Sequence, residues 1–256
     1  MTKQLFTETV NDFTGEMIKE TKTRTKALIG AEALKTLEDT HVVICGLGGV
    51  GSYAAEALAR SSVGFLTLVD FDRISLSNIN RQIPALLSTV GEYKVEAMAQ
   101  RIKDINPACR IFIKTEFIDK NNVAEIVENA DYLVDTIDSV EGKIALILYA
   151  KEHDIPLVSC MGTGNKLSPE SMEISDISRT SACPLARVVR QELKKHGISK
   201  GVRVVYSKEK TKREELLKEK GKLVPSSIIF VPGCAGLFLA SVVIRDVLNI
   251  PIKNSK

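Results

Sequence analysis

A glycine-rich turn, followed by an aspartate, is the first feature of this 256-residue chain that could do chemistry. The turn reads Gly46-Leu47-Gly48-Gly49-Val50-Gly51. Glycines let the backbone approach a phosphate closely, and the amides that open the following helix point at negative charge. Asp70 ends the next apolar run, where its carboxylate can accept hydrogen bonds from ribose hydroxyls. The pattern predicts a bound nucleotide; it suits an NAD enzyme equally, and a glycine turn needed only for packing is the alternative.

Polar side chains after Asp70 separate these two kinds of nucleotide chemistry. They are Asn78, Asn80, Arg81, Gln82 and Lys94. Clustered cations have no use beside a hydride-transferring cofactor, whereas they would neutralise a triphosphate and hold it in line for attack. We therefore predict ATP as the nucleotide, with a solvated loop of incidental charge as the alternative.

A second group of carboxylates stands at the end of a later apolar run. Its sequence is Asp135-Thr136-Ile137-Asp138-Ser139. Ligands of open α/β sheets bind at the carboxyl ends of the strands, and Mg²⁺ takes oxygen ligands from one or two acids plus phosphate. Asp138 is thus a candidate Mg²⁺ ligand, and capping of the next helix is its alternative or additional role.

Alternating apolar runs and helical patterns must position these groups. We predict strands at 41–46, 65–70, 110–115, 132–135 and 156–161, with helices between them at 50–61, 94–105, 123–129 and 140–153. This alternation predicts an α/β fold with a Rossmann-like, doubly wound sheet that is parallel in its N-terminal half. Beyond residue 161 we expect antiparallel strands, a helix at 186–196, a strand at 202–207 and a lysine-rich helix at 208–222.

The charge of the chain is balanced overall and uneven locally. It has 35 basic and 32 acidic residues, so its net charge of +3 gives no general sign of a polyanionic partner. The stretch 187–222, however, holds 13 basic and 5 acidic residues. This basic segment favours an RNA substrate, and a merely solvated helical face is the alternative.

Cysteine and histidine usage argues against zinc. The five cysteines include no Cys-x-x-Cys pair and the three histidines stand far apart, so we expect no structural zinc. With a hydrophilic start and no signal peptide, the pattern is typical of a reducing cytoplasm. Cys234, in Pro232-Gly233-Cys234, precedes a predicted helix and is a candidate reactive thiol, although small buried cysteines are commoner.

One long apolar run, 223–244, could reach across a bilayer by length alone. Pro225, Pro232 and Gly233 interrupt it, so we expect its helical part, from Cys234 to about residue 247, to be too short for a span. A buried core helix preceded by a strand is the preferred interpretation, and membrane association is the alternative.

These motifs, in this order and at these spacings, resemble the adenylating domain of the ThiF/MoeB superfamily. The segments that carry the resemblance are GLGGVGSYAAEALARSSVG, LVDFDRISLSNINRQ, GEYKVEAMAQRIKDINP and DTIDS. It implies that Asp70 binds the ribose, that Asn78, Arg81 and Lys94 bind the phosphates, and that Asp138 binds Mg²⁺. The candidate ATP-binding set is completed by Asp72, Ser77, Asn80, Gln82 and Ser139.

The N-terminal region adds an expectation about subunits. The segment Arg24-Thr25-Lys26-Ala27-Leu28-Ile29-Gly30 resembles the arginine element of the superfamily. It implies a homodimer in which Arg24 is catalytic by reaching a phosphate in the partner subunit; a solvated residue on a basic helix is the alternative. We expect a single adenylating domain over 1–256, with a helical arm over about 1–40 and a basic insert over about 187–222.

Further residues indicate the branch of the superfamily. Members of the molybdopterin and thiamine pathways usually carry two Cys-x-x-Cys pairs and activate the C-terminus of a ubiquitin-like sulfur carrier. This chain instead has NINRQ, DTIDS, MGTGNKL and CPLAR, which are similar to the tRNA threonylcarbamoyladenosine dehydratases. The resemblance implies ATP-dependent cyclisation of threonylcarbamoyladenosine beside the anticodon, through adenylation of the threonyl carboxylate. Two alternative functions remain, a sulfur-carrier adenylyltransferase and a nucleotide-sensing scaffold. Binding of a sulfur-transfer protein as a partner is a further open question.

Overall fold

One mixed sheet organises the chain in a computed structural model that describes residues 4–5, 15–210, 217–219 and 222–251. Within them the sheet has eight strands: β1 (Gln4–Leu5), β2 (His41–Cys45), β3 (Phe65–Val69), β4 (Arg110–Lys114), β5 (Tyr132–Asp135), β6 (Leu157–Cys160), β7 (Met172–Asp176) and β8 (Arg203–Ser207). Their order is β1-β4-β3-β2-β5-β6-β8-β7. Only the two outermost pairs, β1 with β4 and β7 with β8, are antiparallel. The predicted parallel half with an antiparallel continuation is confirmed.

Helices cover both faces of the sheet. They are α1 (Gly15–Thr21), α2 (Thr23–Ile29), α3 (Ala31–Asp39), α4 (Gly51–Arg60), α5 (Lys94–Ile105), α6 (Val123–Ile126), α7 (Val140–Glu152), α8 (Pro184–Lys195) and α9 (Phe230–Val247). Helices α4, α5 and α9 share one core with Val42 and Ile44 of β2, whereas α6 and α7 share another with Val43. Neighbouring residues of a strand point to opposite faces, and helices cover both faces of this sheet. All five residues of β2 are therefore buried, as expected for a central parallel strand. The doubly wound prediction is therefore confirmed.

The order of the strands creates a ligand-binding edge. The chain proceeds outward from β2 through β3 to β4, then returns to the other side of β2 to form β5 and β6. This reversal leaves a crevice between the carboxyl ends of β2 and β5, which is where open α/β sheets bind their ligands. The glycine turn follows β2, and the turn 136–139 follows β5, so both sequence motifs meet at this crevice.

The C-terminal helix is longer than we expected. Helix α9 begins at Phe230 and includes Pro232 and Gly233, which the sequence had placed before the helix. Proline is tolerated there because the first turn of a helix has no intrahelical partner for its N–H groups. In the described part of the chain α9 is long and apolar enough to cross a membrane, but half of it is buried in the domain, where it packs on α4. A short strand, β10 (Lys222–Val224), precedes it.

The basic segment does not form the predicted lysine-rich helix over 208–222. Residues 208–210 have no regular structure, and β9 (Leu217–Glu219) pairs antiparallel with β10; 211–216 and 220–221 lie outside the described residues. Alternation of Lys and Glu marks a solvated segment and does not by itself exclude a strand, and the pairing of β9 with β10 shows strands here. Helix α8 buries Val189 and Leu193, and β8 pairs with β6 and β7.

Candidate nucleotide-binding site

The glycine turn is fixed by two contacts that no side chain would permit. A Cβ atom on Gly51 would lie 1.8 Å from the carbonyl oxygen of Gly46, and one on Gly46 would lie 2.9 Å from that of Thr136. Gly46 also has a φ of +93°, in the region that favours glycine. At Gly48, by contrast, a Cβ would meet only the Gln82 amide nitrogen, 3.9 Å away. Space beside Gly48 is therefore available to a ligand.

Asp70 connects the glycine turn to the end of β3. Its carboxylate is buried and accepts the backbone N–H of Leu47 at 2.6 Å and that of Asp72 at 2.9 Å. Burial raises the pKa of Asp70, and the charge of Lys94 opposes that rise. Each carboxylate oxygen has a second lone pair, so this structural role is compatible with acceptance of ribose hydroxyls.

Lys94 opens helix α5 and is buried beside two carboxylates. Its Nζ lies 2.7 Å from an oxygen of Asp72 and 3.8 Å from one of Asp70. Asp72, which the sequence assigned to nucleotide binding, is therefore the direct counter-ion of Lys94 in this structure. The Lys94 ammonium group is therefore held close to Asp70, the candidate ribose-binding residue. There it can bind a phosphate of the nucleotide.

Arg81 lies against the glycine turn, after the 3₁₀ turn 76–78. Its Cγ would be 3.3 Å from a Cβ on Gly49, and its guanidinium donates to the Ser77 carbonyl and the Asn80 side-chain oxygen, both at 2.8 Å. Arg81 is half-buried, and the other donors of its guanidinium are directed to no other described residue. Arg81 is thus oriented by its neighbours and able to bind an anion.

The remaining polar residues of this stretch have structural contacts. The side-chain oxygen of Asn78 accepts the Ser75 N–H at 3.1 Å and so caps the 3₁₀ turn, while the hydroxyls of Ser75 and Ser77 are 3.1 Å apart. The Asn80 amide donates to the Ser227 carbonyl at 2.9 Å. This hydrogen bond connects the loop to the segment that precedes α9. These contacts shape the loop that carries Arg81.

Gln82 is buried beside the glycine turn, and its side-chain oxygen has no hydrogen-bond partner among the described residues. A buried polar atom without a partner is costly unless a ligand or water satisfies it. The Gln82 atom nearest the open space beside Gly48 is its amide nitrogen, which can donate to a polar ligand such as a nucleotide.

Asp138 and Ser139 have separate roles at the start of α7. The hydroxyl of Ser139 accepts the Gly142 N–H at 3.4 Å and caps the helix, so capping belongs to Ser139 and not to Asp138. Asp138 is exposed at the crevice. Among the described residues no group of three or more His, Cys, Asp or Glu could hold a metal. A single carboxylate fits Mg²⁺ when nucleotide phosphates supply further oxygens.

Two features of the site were missed by sequence reasoning. The first is a fully buried group of Asp135, Lys143 and Ser159 beneath the 136–139 turn. Its signal was a lysine within an otherwise apolar stretch of α7. The second is an edge-to-face pair of Phe71 and Phe117, half-exposed beside Asp70 with ring centroids 5.4 Å apart. Exposed aromatic rings directly after two strand ends were its signal.

Arg24 is not brought to the crevice within one chain. It is exposed on α2, and neither α1 nor α2 buries a side chain. Helix α2 packs on α1 and α3. A role for Arg24 at a phosphate therefore needs a second subunit.

Cys234 lies inside α9, not ahead of it, and its Sγ is 3.9 Å from the Pro169 carbonyl oxygen. Burial raises the pKa of this thiol, which disfavours the thiolate needed for nucleophilic attack. We expect Cys234→Ala to keep the rate of product formation within about twofold of the unmodified protein. A single-turnover assay measures this, and a covalent adduct on Cys234 in intact-protein mass spectrometry would contradict it.

The doubly wound sheet, with a glycine turn at its switch point, defines an α/β protein of the nucleotide-binding class. The chain belongs to the ThiF family, whose sequence profile matches residues 22–256. It is 44% identical over 246 residues to a tRNA threonylcarbamoyladenosine dehydratase of Bacillus subtilis, covering 91% of this chain and 97% of that protein. The predicted resemblance is confirmed.

A solved structure and a more distant relative complete the comparison. The crystal structure of the Escherichia coli tRNA N6-threonylcarbamoyladenosine dehydratase in complex with ATP is similar with a TM-score of 0.85 and 35% identity, covering 92% of this chain and 96% of that one. A molybdopterin-synthase adenylyltransferase of Escherichia coli is 39% identical over 130 residues, which is 51% of each chain. Similarity to the dehydratases thus extends over the whole fold, whereas similarity to this adenylyltransferase covers half of it.

Proposed function

We propose that this protein is an ATP-dependent tRNA threonylcarbamoyladenosine dehydratase. The observation that carries the proposal is its 44% identity to a dehydratase over nearly the whole length of both chains. The glycine turn, Asp70, Arg81 and Lys94 surround one crevice, as an ATP site requires. The reaction closes a ring within the modified adenosine next to the anticodon.

The residues at the crevice have distinct tasks in this reaction. Asp70 accepts the ribose hydroxyls, the amides after Gly48 approach the phosphates, and Arg81 and Lys94 neutralise the phosphate charge. With ATP held in line, the threonyl carboxylate of the tRNA attacks the α-phosphorus and pyrophosphate leaves. Cations fixed in a partly buried site stabilise the charge that develops in this step.

Ring closure follows from the geometry of the substrate. In the acyl adenylate, AMP is a good leaving group, and a neighbouring atom of the same nucleotide attacks the activated carbonyl carbon. AMP leaves with the original carboxylate oxygen, so the nucleoside loses one water overall. Because the attack is intramolecular, little further entropy is lost and no enzyme nucleophile is required.

Mg²⁺ is part of the proposal through Asp138. Its carboxylate is exposed at the end of β5, opposite the glycine turn, where it can hold the ion together with phosphate oxygens. Mg²⁺ supplies charge neutralisation and orientation of the polyphosphate. Ser139 keeps the turn in place by capping α7.

An RNA substrate agrees with the charges on α8 and the loop after it. Arg187, Lys194 and Lys200 are exposed, and none has an ion pair among the described residues. Lys195 and Arg203, by contrast, are paired with Glu192 and Asp246. The three exposed cations are therefore available for phosphate contacts, which would make tRNA affinity fall with rising salt.

We also propose a cytoplasmic homodimer formed by one adenylating domain with an N-terminal helical arm. In this arrangement Arg24 reaches a phosphate of the partner subunit. The exposure of α1 and α2, including Leu28 at 86%, is what a surface-lying arm that packs on a second subunit would show. A sulfur-transfer protein as an additional partner is a separate proposal, for which the described surface offers no specific contact.

The alternative function is adenylation of the C-terminus of a ubiquitin-like sulfur carrier. The similarity to a molybdopterin-synthase adenylyltransferase supports it, but over only half of each chain. The chain also lacks the two Cys-x-x-Cys pairs that are usual in that branch.

One assay separates the two functions. The protein is incubated with ATP, Mg²⁺ and tRNA bearing threonylcarbamoyladenosine, and the nucleosides are analysed by mass spectrometry. We expect this nucleoside to lose one water in a reaction that consumes ATP. ATP–pyrophosphate exchange that needs a small ubiquitin-like protein and ignores tRNA would instead establish the alternative.

A further inference from the structure

A lysine without any exposure to solvent lies directly behind the crevice. Lys143, in the first turn of α7, is 0% exposed, and so is its partner Asp135. Its Nζ donates to Asp135 at 2.8 Å, to the Ser159 hydroxyl at 3.2 Å and to the Cys160 carbonyl at 3.0 Å. All three N–H bonds of the ammonium group are thus used, as a buried charge requires.

The same group is connected to the 136–139 turn, which borders the crevice, and to the neighbouring end of β6. The second oxygen of Asp135 accepts the backbone N–H of Ile137 at 3.1 Å, which holds the turn that presents Asp138. On the other side, Lys143 and Ser159 hold the end of β6 through the Cys160 carbonyl and a 2.5 Å hydrogen bond from Ser159 to Asp135. One ammonium group therefore fixes two neighbouring strand ends relative to each other.

Stability alone is a poor reason for such a group. Taking two opposite charges out of water costs about as much as their attraction returns, and well-packed apolar residues often serve equally well. The ion pair contributes a fixed orientation of the 136–139 turn, because its hydrogen bonds have defined directions and favour one arrangement of that turn. Residues behind a metal ligand commonly act in this way, by orienting the ligand that touches the ion.

We propose that Lys143, with Asp135 and Ser159, is a positioning residue that holds the 136–139 turn so that Asp138 can bind the Mg²⁺ of bound ATP. This inference rests on the proposed ATP site. It assigns to the Asp135–Lys143–Ser159 group a role in metal–nucleotide affinity, not in contact with the substrate.

The test is calorimetric binding of ATP at increasing Mg²⁺ concentrations, beginning with a chelator and no free metal. For Lys143→Met, the Mg²⁺ concentration that gives half of the increase in ATP affinity should rise by about tenfold or more. Affinity for ATP without Mg²⁺ should stay within about twofold, because the glycine turn, Asp70 and Lys94 are untouched. A result in which the half-maximal Mg²⁺ concentration is unchanged overturns the proposal.

Lys114→Met is the matched control. Lys114 is also buried at a strand end and paired with an acid, Glu125, but it has no contact with the 136–139 turn. We expect this variant to lose thermal stability while keeping the Mg²⁺ response. If Lys114→Met and Lys143→Met raise the half-maximal Mg²⁺ concentration equally, the effect is general destabilisation and the proposal is wrong.

Two further variants keep the test decisive. Asp135→Asn combined with Lys143→Met leaves no unpaired buried charge, so it should fold even if Lys143→Met does not; it should still need more Mg²⁺. Asp138→Asn should abolish the Mg²⁺ response, and an unchanged response overturns the proposal. These readouts need no tRNA, so failure of the wild-type protein to cyclise tRNA would reject the dehydratase function separately.

Discussion

Replacement of Lys94 with methionine is expected to lower the rate of tRNA cyclisation by about 100- to 1000-fold. Lys94 supplies a fixed positive charge at the ribose end of the crevice, 2.7 Å from Asp72, and methionine keeps the length of the side chain without the charge. Its loss also removes the charge that lowers the pKa of Asp70, so that pKa should rise further. Single-turnover kinetics with saturating ATP measure the rate directly.

The control for this substitution lies on the same helix. Lys103 of α5 donates to the Cys109 carbonyl at 2.8 Å and contacts none of the proposed ATP-binding residues. Lys103→Met should therefore leave cyclisation nearly unchanged.

Arg81→Ala should behave like Lys94→Met, because Arg81 lies against the glycine turn. If Arg81→Ala and Lys94→Met both kept full ATP affinity and turnover, the crevice would not be the active site.

Two alanine substitutions in the glycine turn should affect different properties, Gly51→Ala the stability of the fold and Gly48→Ala the binding of ATP. At Gly51 the new methyl group would overlap the Gly46 carbonyl, so we expect a loss of about 3 kcal/mol or more in the free energy of unfolding. For a chain of this size that lowers Tm by roughly 6–12 °C. At Gly48 the methyl group makes only an ordinary contact, so Tm should not change.

Nucleotide binding distinguishes the two positions further. Gly48→Ala should weaken ATP binding by about tenfold or more, because the methyl group occupies the space through which the backbone approaches a phosphate. Thermal denaturation and ATP titration on the same samples give both quantities. Unchanged ATP affinity in Gly48→Ala would place the phosphates elsewhere.

Much of the fold could be predicted because its local signals agree with one another. The five parallel strands predicted up to residue 161 were correct to within one residue at each end, since β-branched apolar runs and the glycine-rich or polar turns after them indicate the same boundaries. Predictions failed where signals conflicted. Charge alternation suggested a helix at 208–222, while the pairing of β9 with β10 shows strands at 217–219 and 222–224.

The candidate site was predictable in its residue types but not in its internal contacts. Sequence order placed Gly46, Asp70 and Asp138 at strand ends, which meet at one edge of any parallel sheet. It could not show that Asp72 neutralises Lys94, or that Ser139 takes the capping role considered for Asp138. Such contacts depend on side-chain directions within a few ångströms, which spacing along the chain does not encode.

The sequence by itself determined the class of fold, the glycine turn and the family, because each depends on local propensity or on motifs read in order. Only the tertiary structure decided that Lys143 reaches Asp135, Ser159 and the end of β6 at once. A charge among apolar residues says that a partner must exist, since an unpaired buried ammonium group is too costly. Which partner it has depends on the packing of α7 against β5 and β6, and that packing is a property of the whole folded chain.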